Sequence, residues 1–172
     1  HDDLPALDDD ALRRGRPTLH VHCGETMAIL AGDLLLTQSF QILANSDWPR
    51  DVGADLVRML SDHTVAMVAG QVYDTLGGVP EGLDPVEQLT LIHRSKTGSL
   101  MQCAIAMGAR VAQADADRTA TLDRYGDAVG IMFQIVDDLL DVTQSEDHIG
   151  KAVGKDAQRG RPTWPGLLGT TA

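Results

Sequence analysis

Residues 130–143 read GIMFQIVDDLLDVT, and this stretch decides the fold. At about 100° per residue on a helix, Gln134, Asp137, Asp138 and Asp141 fall within an arc of about 100°. Ile131, Met132, Phe133, Ile135, Val136, Leu139, Leu140 and Val142 cover most of the remaining circumference. A surface helix has a broad polar face. A narrow acidic stripe on an otherwise apolar helix belongs beside a cavity or cleft inside a helical bundle. Three carboxylates on one stripe repel each other unless a cation joins them. A set of hard oxygen ligands suits Mg²⁺, which keeps several waters and shares itself with substrate phosphates. For an isolated Asp-Asp-x-x-Asp, a solvated face is the ordinary alternative.

The helical pattern extends outward from this stretch. It predicts a helix over roughly 117–144 and, before it, one starting at Asp84-Pro85 and running to about Gln113. Asp84 is suited to the N-cap, Pro85 to the first helical position and Glu87 to closing a capping box. Gly98 and Gly108 are weak points of that helix. Residues 51–76 predict another helix, with Leu56, Val57, Leu60, Val65, Val68 and Val72 as its apolar positions. Residues 25–44 are apolar around most of the circumference, which predicts burial within the bundle. Asn45, Ser46, Asp47 and Pro49 end that helix. No strand alternation of useful length and no repeat is present. The fold class is all-α, built of long helices. Residues 145–166, rich in Gly, Lys, Arg, Asp and Pro, read as a functional loop leading into a further helix.

Other segments carry chemistry. Residues 2–10, DDLPALDDD, form a second acidic cluster. Asp2 and Asp8 lie about 120° out of phase on a straight helix, so a bulge or loop at Pro5 is needed to bring them together. Arg13, Arg14, Gly15 and Arg16 follow; adjacent guanidinium groups beside a glycine suit oxyanion recognition. A charged surface turn is the alternative for this cluster. Lys96, Thr97 and Gly98 can place an ammonium, a hydroxyl and a freed carbonyl on one wall of a cleft. Gln71 and Asp74 form a polar pair one helix earlier, and Lys151, Lys155, Arg159 and Arg161 add positive charge after the acidic stripe. The six histidines show no zinc or nucleophile spacing and read as surface or core residues.

Composition bounds the partners. The chain has 172 residues, which fits one domain. Its 14 basic and 25 acidic residues give a net charge of −11. That argues against nucleic acid or an anionic membrane surface, which need clustered Lys and Arg, yet an anionic ligand remains accessible through divalent cations. Aromatic residues make up 3%, too few for base-stacking platforms. No apolar run approaches the ~20 residues of a membrane span, so no transmembrane segment is expected. The two cysteines, Cys23 and Cys103, read as small core hydrophobes in a reducing compartment, and no secretory leader is visible; the expected location is cytoplasmic.

Together these segments resemble the trans-isoprenyl diphosphate synthases, the polyprenyl synthetase family that includes farnesyl and geranylgeranyl diphosphate synthases. The resemblance spans nearly the whole chain: HDDLPALDDDALRRGRPT (1–18), AILAGDLLL (28–36), GQVYD (70–74), HRSKTG (93–98), FQIVDDLLD (133–141) and IGKAVGKDAQRGRPTWPGLLG (149–169). Two separate aspartate-rich motifs in the right order make it specific. The six-residue offset from Asp2 to Asp8 is similar to the longer form of the family's first motif.

The resemblance implies an antiparallel helix bundle of the isoprenoid synthase type around a deep cleft, normally homodimeric. It also implies that residues 1–172 are a single catalytic domain lacking the helices that usually flank it, so that a side of the core is exposed. By position, Asp2 and Asp8 would hold two of three Mg²⁺ on an allylic diphosphate, with Asp3 in support. Asp137 would hold the third, with Asp138 and Asp141 nearby or acting through water. Arg13, Lys96 and Lys151 would bind the allylic diphosphate and Arg14 the isopentenyl diphosphate, with Gln71 also on the substrate. Arg161 stands where the family commonly has Lys. Thr97, the Lys96 carbonyl and the Gln134 amide would face the allylic cation. The implied reaction is head-to-tail prenyl transfer by ionisation, condensation and elimination. A class I terpene cyclase shares the cleft and acidic motifs, and a non-catalytic partner subunit shares the scaffold. The arginine pair and the GK…GKD…GRPT tail favour the elongating enzyme.

Overall fold

The computed structural model describes residues 1–143 and 162–169. Lys151, Arg161 and residues 145–161 of the loop expected over 145–166 lie outside the described residues, and the last three positions of that expected loop are already helical.

A short antiparallel hairpin, β1 (Leu12–Arg13) and β2 (Arg16–Pro17), pairs Leu12 with Pro17 and Arg13 with Arg16. Its two-residue turn is Arg14-Gly15, with φ of +54° and +72°. Positive φ at both central residues is the geometry whose twist matches paired strands, and glycine adopts it without cost. Helices α1 (Leu19–Cys23), α2 (Glu25–Asn45) and α3 (Arg50–Leu76) follow. Helix α4 (Pro85–His93) begins with the expected capping box: the Glu87 N–H donates to Asp84 Oδ1 at 2.9 Å, and the Asp84 N–H donates to Glu87 Oε2 at 2.9 Å. The helix predicted from 85 to about 113 is divided. A π-helical turn over Arg94–Gly98 separates α4 from α5 (Ser99–Val111). Gly98 is the weak point that matters, whereas α5 runs through Gly108 without a break. Helix α6 (Ala116–Thr143) carries the acidic stripe, and α7 (Trp164–Leu168) packs against α4 and α6.

Close glycine contacts set the core. Helix α3 and the segment from the π turn through α5 run antiparallel: Gly70 lies on the Ser95–Lys96 backbone, His63 Nδ1 is 3.1 Å from Ser99 Oγ, and Arg110 reaches back to Asp51 and Asp55. Helix α6 is antiparallel to the same segment, with Gly130 opposite Gly98 and Gly126 opposite Gln102. A Cβ on Gly70 would collide with the Lys96 backbone nitrogen, and one on Gly130 would sit 2.6 Å from the Gly98 Cα. Leu56, Leu89 and Cys103 are the fully buried side chains around these crossings. The π turn is therefore gripped between two helices, which fixes where Lys96 and Thr97 project.

Helix α2 departs from the sequence expectation. Its apolar circumference predicts burial, but only Ala28 is buried: α2 packs against α1 and α3, and His1 lies on it at Ile29, Gly32 and Asp33, while the rest of its apolar surface stays open. Leu30, Leu34, Leu35 and Ile42 stand open at 59–66% exposure. With a mean hydropathy of 1.4, α2 is also long and apolar enough to cross a membrane by length and composition, although Asp33 and Gln38 interrupt it. Cys23 is likewise exposed at the end of α1 rather than in the core, where Cys103 lies.

Candidate diphosphate site

The first aspartate cluster is a loop of turns. The Asp8 N–H donates to the Asp2 carbonyl at 2.9 Å, and the Asp10 N–H donates to the Asp3 carbonyl at 3.2 Å. The loop at Pro5 thus draws Asp2 and Asp8 together, as a straight helix would not. The hairpin folds back on this loop: Thr18 Oγ1 donates to the Asp10 carbonyl at 2.7 Å. Arg13 grips Asp3 with two hydrogen bonds, Nε to Oδ2 at 2.7 Å and Nη2 to Oδ1 at 3.0 Å. Asp3 and, less strongly, Asp2 and Asp8 hold the Arg13 guanidinium firmly protonated. Arg14 is exposed at the tip of the hairpin.

A cavity of about 700 Å³ lies beside the loop. Asp2, Gln71, Lys96 and Thr97 line it together with Leu7, Met67, Val68, Val72, Leu76, Leu100 and Met101. Four residues singled out from three distant segments therefore share one space, whose wall is mostly aliphatic. Lys96 Nζ donates to Asp74 Oδ2 at 2.7 Å, with side-chain exposures of 20% and 15%. Asp74 is thus the partner of Lys96, while Gln71 Nε2 donates to Thr75 Oγ1 at 3.0 Å.

The second aspartate motif approaches from α6. Asp138 is buried, and its Oδ2 accepts the Trp164 backbone N–H at 2.9 Å. The Trp164 indole Nε1–H donates to His93 Nδ1 at 2.9 Å. Burial holds the His93 imidazole down at about 4, while Asp74 and Asp137 act upward on it and Lys96 acts downward. Charges on α3, the π turn and the acidic stripe thus all act on one buried histidine. Gln134 and Asp141 are half-buried on the same helix and are not in the wall of the cavity beside Lys96.

The donor set is made of carboxylate oxygens, the chemistry that Mg²⁺ takes. Among the described residues no three Asp, Glu, His or Cys side chains are grouped so that they could hold a metal ion.

The polyprenyl synthetase family model matches residues 1–171. The chain belongs to the polyprenyl synthetase family. It is 44% identical over 177 residues to the farnesyl diphosphate synthase of Escherichia coli, covering 98% of this chain and 58% of that protein. It is 39% identical to the geranylgeranyl diphosphate synthase of Cyanophora paradoxa, covering 98% of this chain and 57% of that protein. Its fold is similar to the crystal structure of a geranyltransferase from Helicobacter pylori complexed with magnesium and isoprenyl diphosphate, with a TM-score of 0.86 and 37% identity over 98% of this chain and 55% of that one. The chain thus spans a little over half the length of these polyprenyl synthetase relatives.

Sequence patterning gives Trp164 no role, reads His93 as a surface or core residue, which its burial bears out, and pairs Asp74 with Gln71 rather than with Lys96. The position of Trp164 within the RPTWPGLLG segment was visible, but its contacts with Asp138 and His93 join residues far apart in sequence.

Proposed function

We propose that this chain carries the catalytic centre of a Mg²⁺-dependent trans-prenyltransferase, which joins isopentenyl diphosphate head-to-tail to an allylic prenyl diphosphate. The observation that carries the reading is the shared cavity: Asp2, Gln71, Lys96 and Thr97 line one space whose wall is otherwise mostly aliphatic. An allylic diphosphate joins a charged head to a hydrocarbon tail, and this lining offers partners to both. The relatives named for farnesyl and geranylgeranyl diphosphate support elongation over cyclisation.

In this reading Asp2 and Asp8, supported by Asp3, and Asp137, with Asp138 and Asp141, would hold Mg²⁺, with three ions once diphosphate is bound. When bound, Mg²⁺ supplies neutralisation of the charge that develops on the diphosphate leaving group. Lys96 and Arg13 supply cationic donors to the same diphosphate, each now resting on a carboxylate, Asp74 and Asp3. Lys151 would join them, Arg14 would serve the isopentenyl diphosphate, and Gln71 and Arg161 would contact substrate. The Thr97 hydroxyl, the Lys96 carbonyl and the Gln134 amide offer negative dipoles to the allylic cation. Leu7, Val68, Val72 and Leu100 exclude water from that cation and receive the hydrocarbon. The proton is lost to the departing diphosphate, so no protein general base is required. A homodimer is the expected assembly, and the open aliphatic row of α2 supports a protein contact there.

The test is product analysis. The chain is incubated with Mg²⁺, an allylic diphosphate and labelled isopentenyl diphosphate. A longer prenyl diphosphate carrying the label supports the reading. Mg²⁺-dependent binding of both substrates without any product would contradict it and favour a binding subunit.

A further inference from the structure

The diphosphate reading gives no role to Trp164 and His93, which form a buried cluster with Asp138. All three residues are less than 10% exposed: Trp164 8%, Asp138 7% and His93 7%. An apolar anchor would suffice to dock a five-residue helix onto α4 and α6. Here both N–H groups of Trp164 are directed to polar partners instead, the backbone N–H to Asp138 Oδ2 and the indole N–H to His93 Nδ1, each at 2.9 Å. The rings of His93 and Trp164 meet edge-on, with centroids 5.9 Å apart and planes at 61°. Thr163 fixes the entry of the helix through Oγ1, which accepts the Gly166 N–H at 3.2 Å.

Each partner is next to a residue of the proposed diphosphate site. Asp138 adjoins Asp137 on α6. His93 ends α4, three residues before Lys96. We infer that Trp164 is a positioning residue: it clasps Asp138 and His93 and thereby holds the acidic stripe of α6 and the Lys96 segment at a fixed separation. This inference rests on the diphosphate reading and adds a residue to it. The indole N–H requires an acceptor at His93 Nδ1, which places the ring proton of a neutral imidazole on Nε2. Burial keeps the ring neutral despite Asp74 and Asp137 nearby, so the clasp adds no charge between Lys96 and the aspartates. Outer groups that orient metal and phosphate ligands typically change affinity by about 10- to 100-fold when removed.

The experiment uses the full chain, Mg²⁺ and inorganic diphosphate, with allylic diphosphate turnover measured in parallel. Trp164→Phe keeps the ring and the backbone N–H but removes the indole donor. His93→Leu removes the acceptor, and His93→Gln restores one. The expected result is about 10-fold weaker Mg²⁺-dependent diphosphate binding in Trp164→Phe and His93→Leu. KM should rise more than kcat falls, helicity should be retained, and His93→Gln should recover part of the loss. Affinity within twofold of the unaltered chain in both Trp164→Phe and His93→Leu would overturn the inference. Absence of diphosphate binding by the unaltered chain would instead overturn the diphosphate reading, and the positioning role with it.

Discussion

Gly98 in the π turn and Gly130 on α6 face each other so closely that a Cβ on Gly130 would lie 2.6 Å from the Gly98 Cα. This contact lets the π turn sit between α3 and α6 with Lys96 and Thr97 directed to the cavity. Gly130→Ala must push the two backbones apart. The expected cost is about 1–3 kcal/mol of stability, the usual range for an overpacked core, together with weaker diphosphate binding. Urea unfolding midpoints and ligand titration on the same sample check both. Wild-type values for both would show that the crossing is looser than described.

Lys96 and Asp74 form a mostly buried ion pair. Lys96→Ala removes a proposed phosphate donor and leaves Asp74 without its ammonium partner. A charge-assisted hydrogen bond is worth about 1.5–3 kcal/mol, so affinity for the allylic diphosphate should fall by about 10- to 100-fold. Asp74→Asn retains a polar partner and frees the ammonium, and it should weaken binding less. Equal losses in the two variants would indicate that the pair serves packing rather than ligand.

The buried His93 gives a pH signature. Its value is about 4 in the folded chain against 6.5 when exposed. Between these values the unfolded chain takes up a proton that the folded chain refuses. The His93 contribution is therefore complete above about pH 6.5 and is lost as pH falls toward 4. Its full size is on the order of 3 kcal/mol. Unfolding free energies measured from pH 4 to 7 should be less steep in His93→Gln than in the unaltered chain. An identical slope would place His93 in contact with water.

Neither Asp84 nor Glu87, which form the capping box, lines the cavity. Asp84→Ala should lower stability by about 1 kcal/mol and leave diphosphate affinity unchanged. Thermal unfolding and ligand titration separate the two effects.

Helix existence was legible because periodicity and caps are local. The boundaries of α2, α3 and α6 fall within a residue or so of the pattern, and the Asp84-Pro85 start is reproduced atom by atom. The loop at Pro5 was legible from phase alone. The π turn was not, because it follows from glycine contacts with two helices that lie distant in sequence. The exposure of α2 was not legible either: hydropathy reports what a face can bury, not whether a neighbour is present. The pairing of Lys96 with Asp74 and the Trp164 clasp are tertiary, and no spacing rule encodes them.

The central claim is that the two aspartate clusters form one Mg²⁺-dependent diphosphate site. Titration calorimetry with a non-hydrolysable allylic diphosphate analogue, with and without Mg²⁺, tests it most directly on protein shown by circular dichroism to be helical. The account predicts binding that requires Mg²⁺ and is lost in both Asp2→Asn and Asp137→Asn. Binding indifferent to Mg²⁺, or no binding by the folded chain, would contradict it.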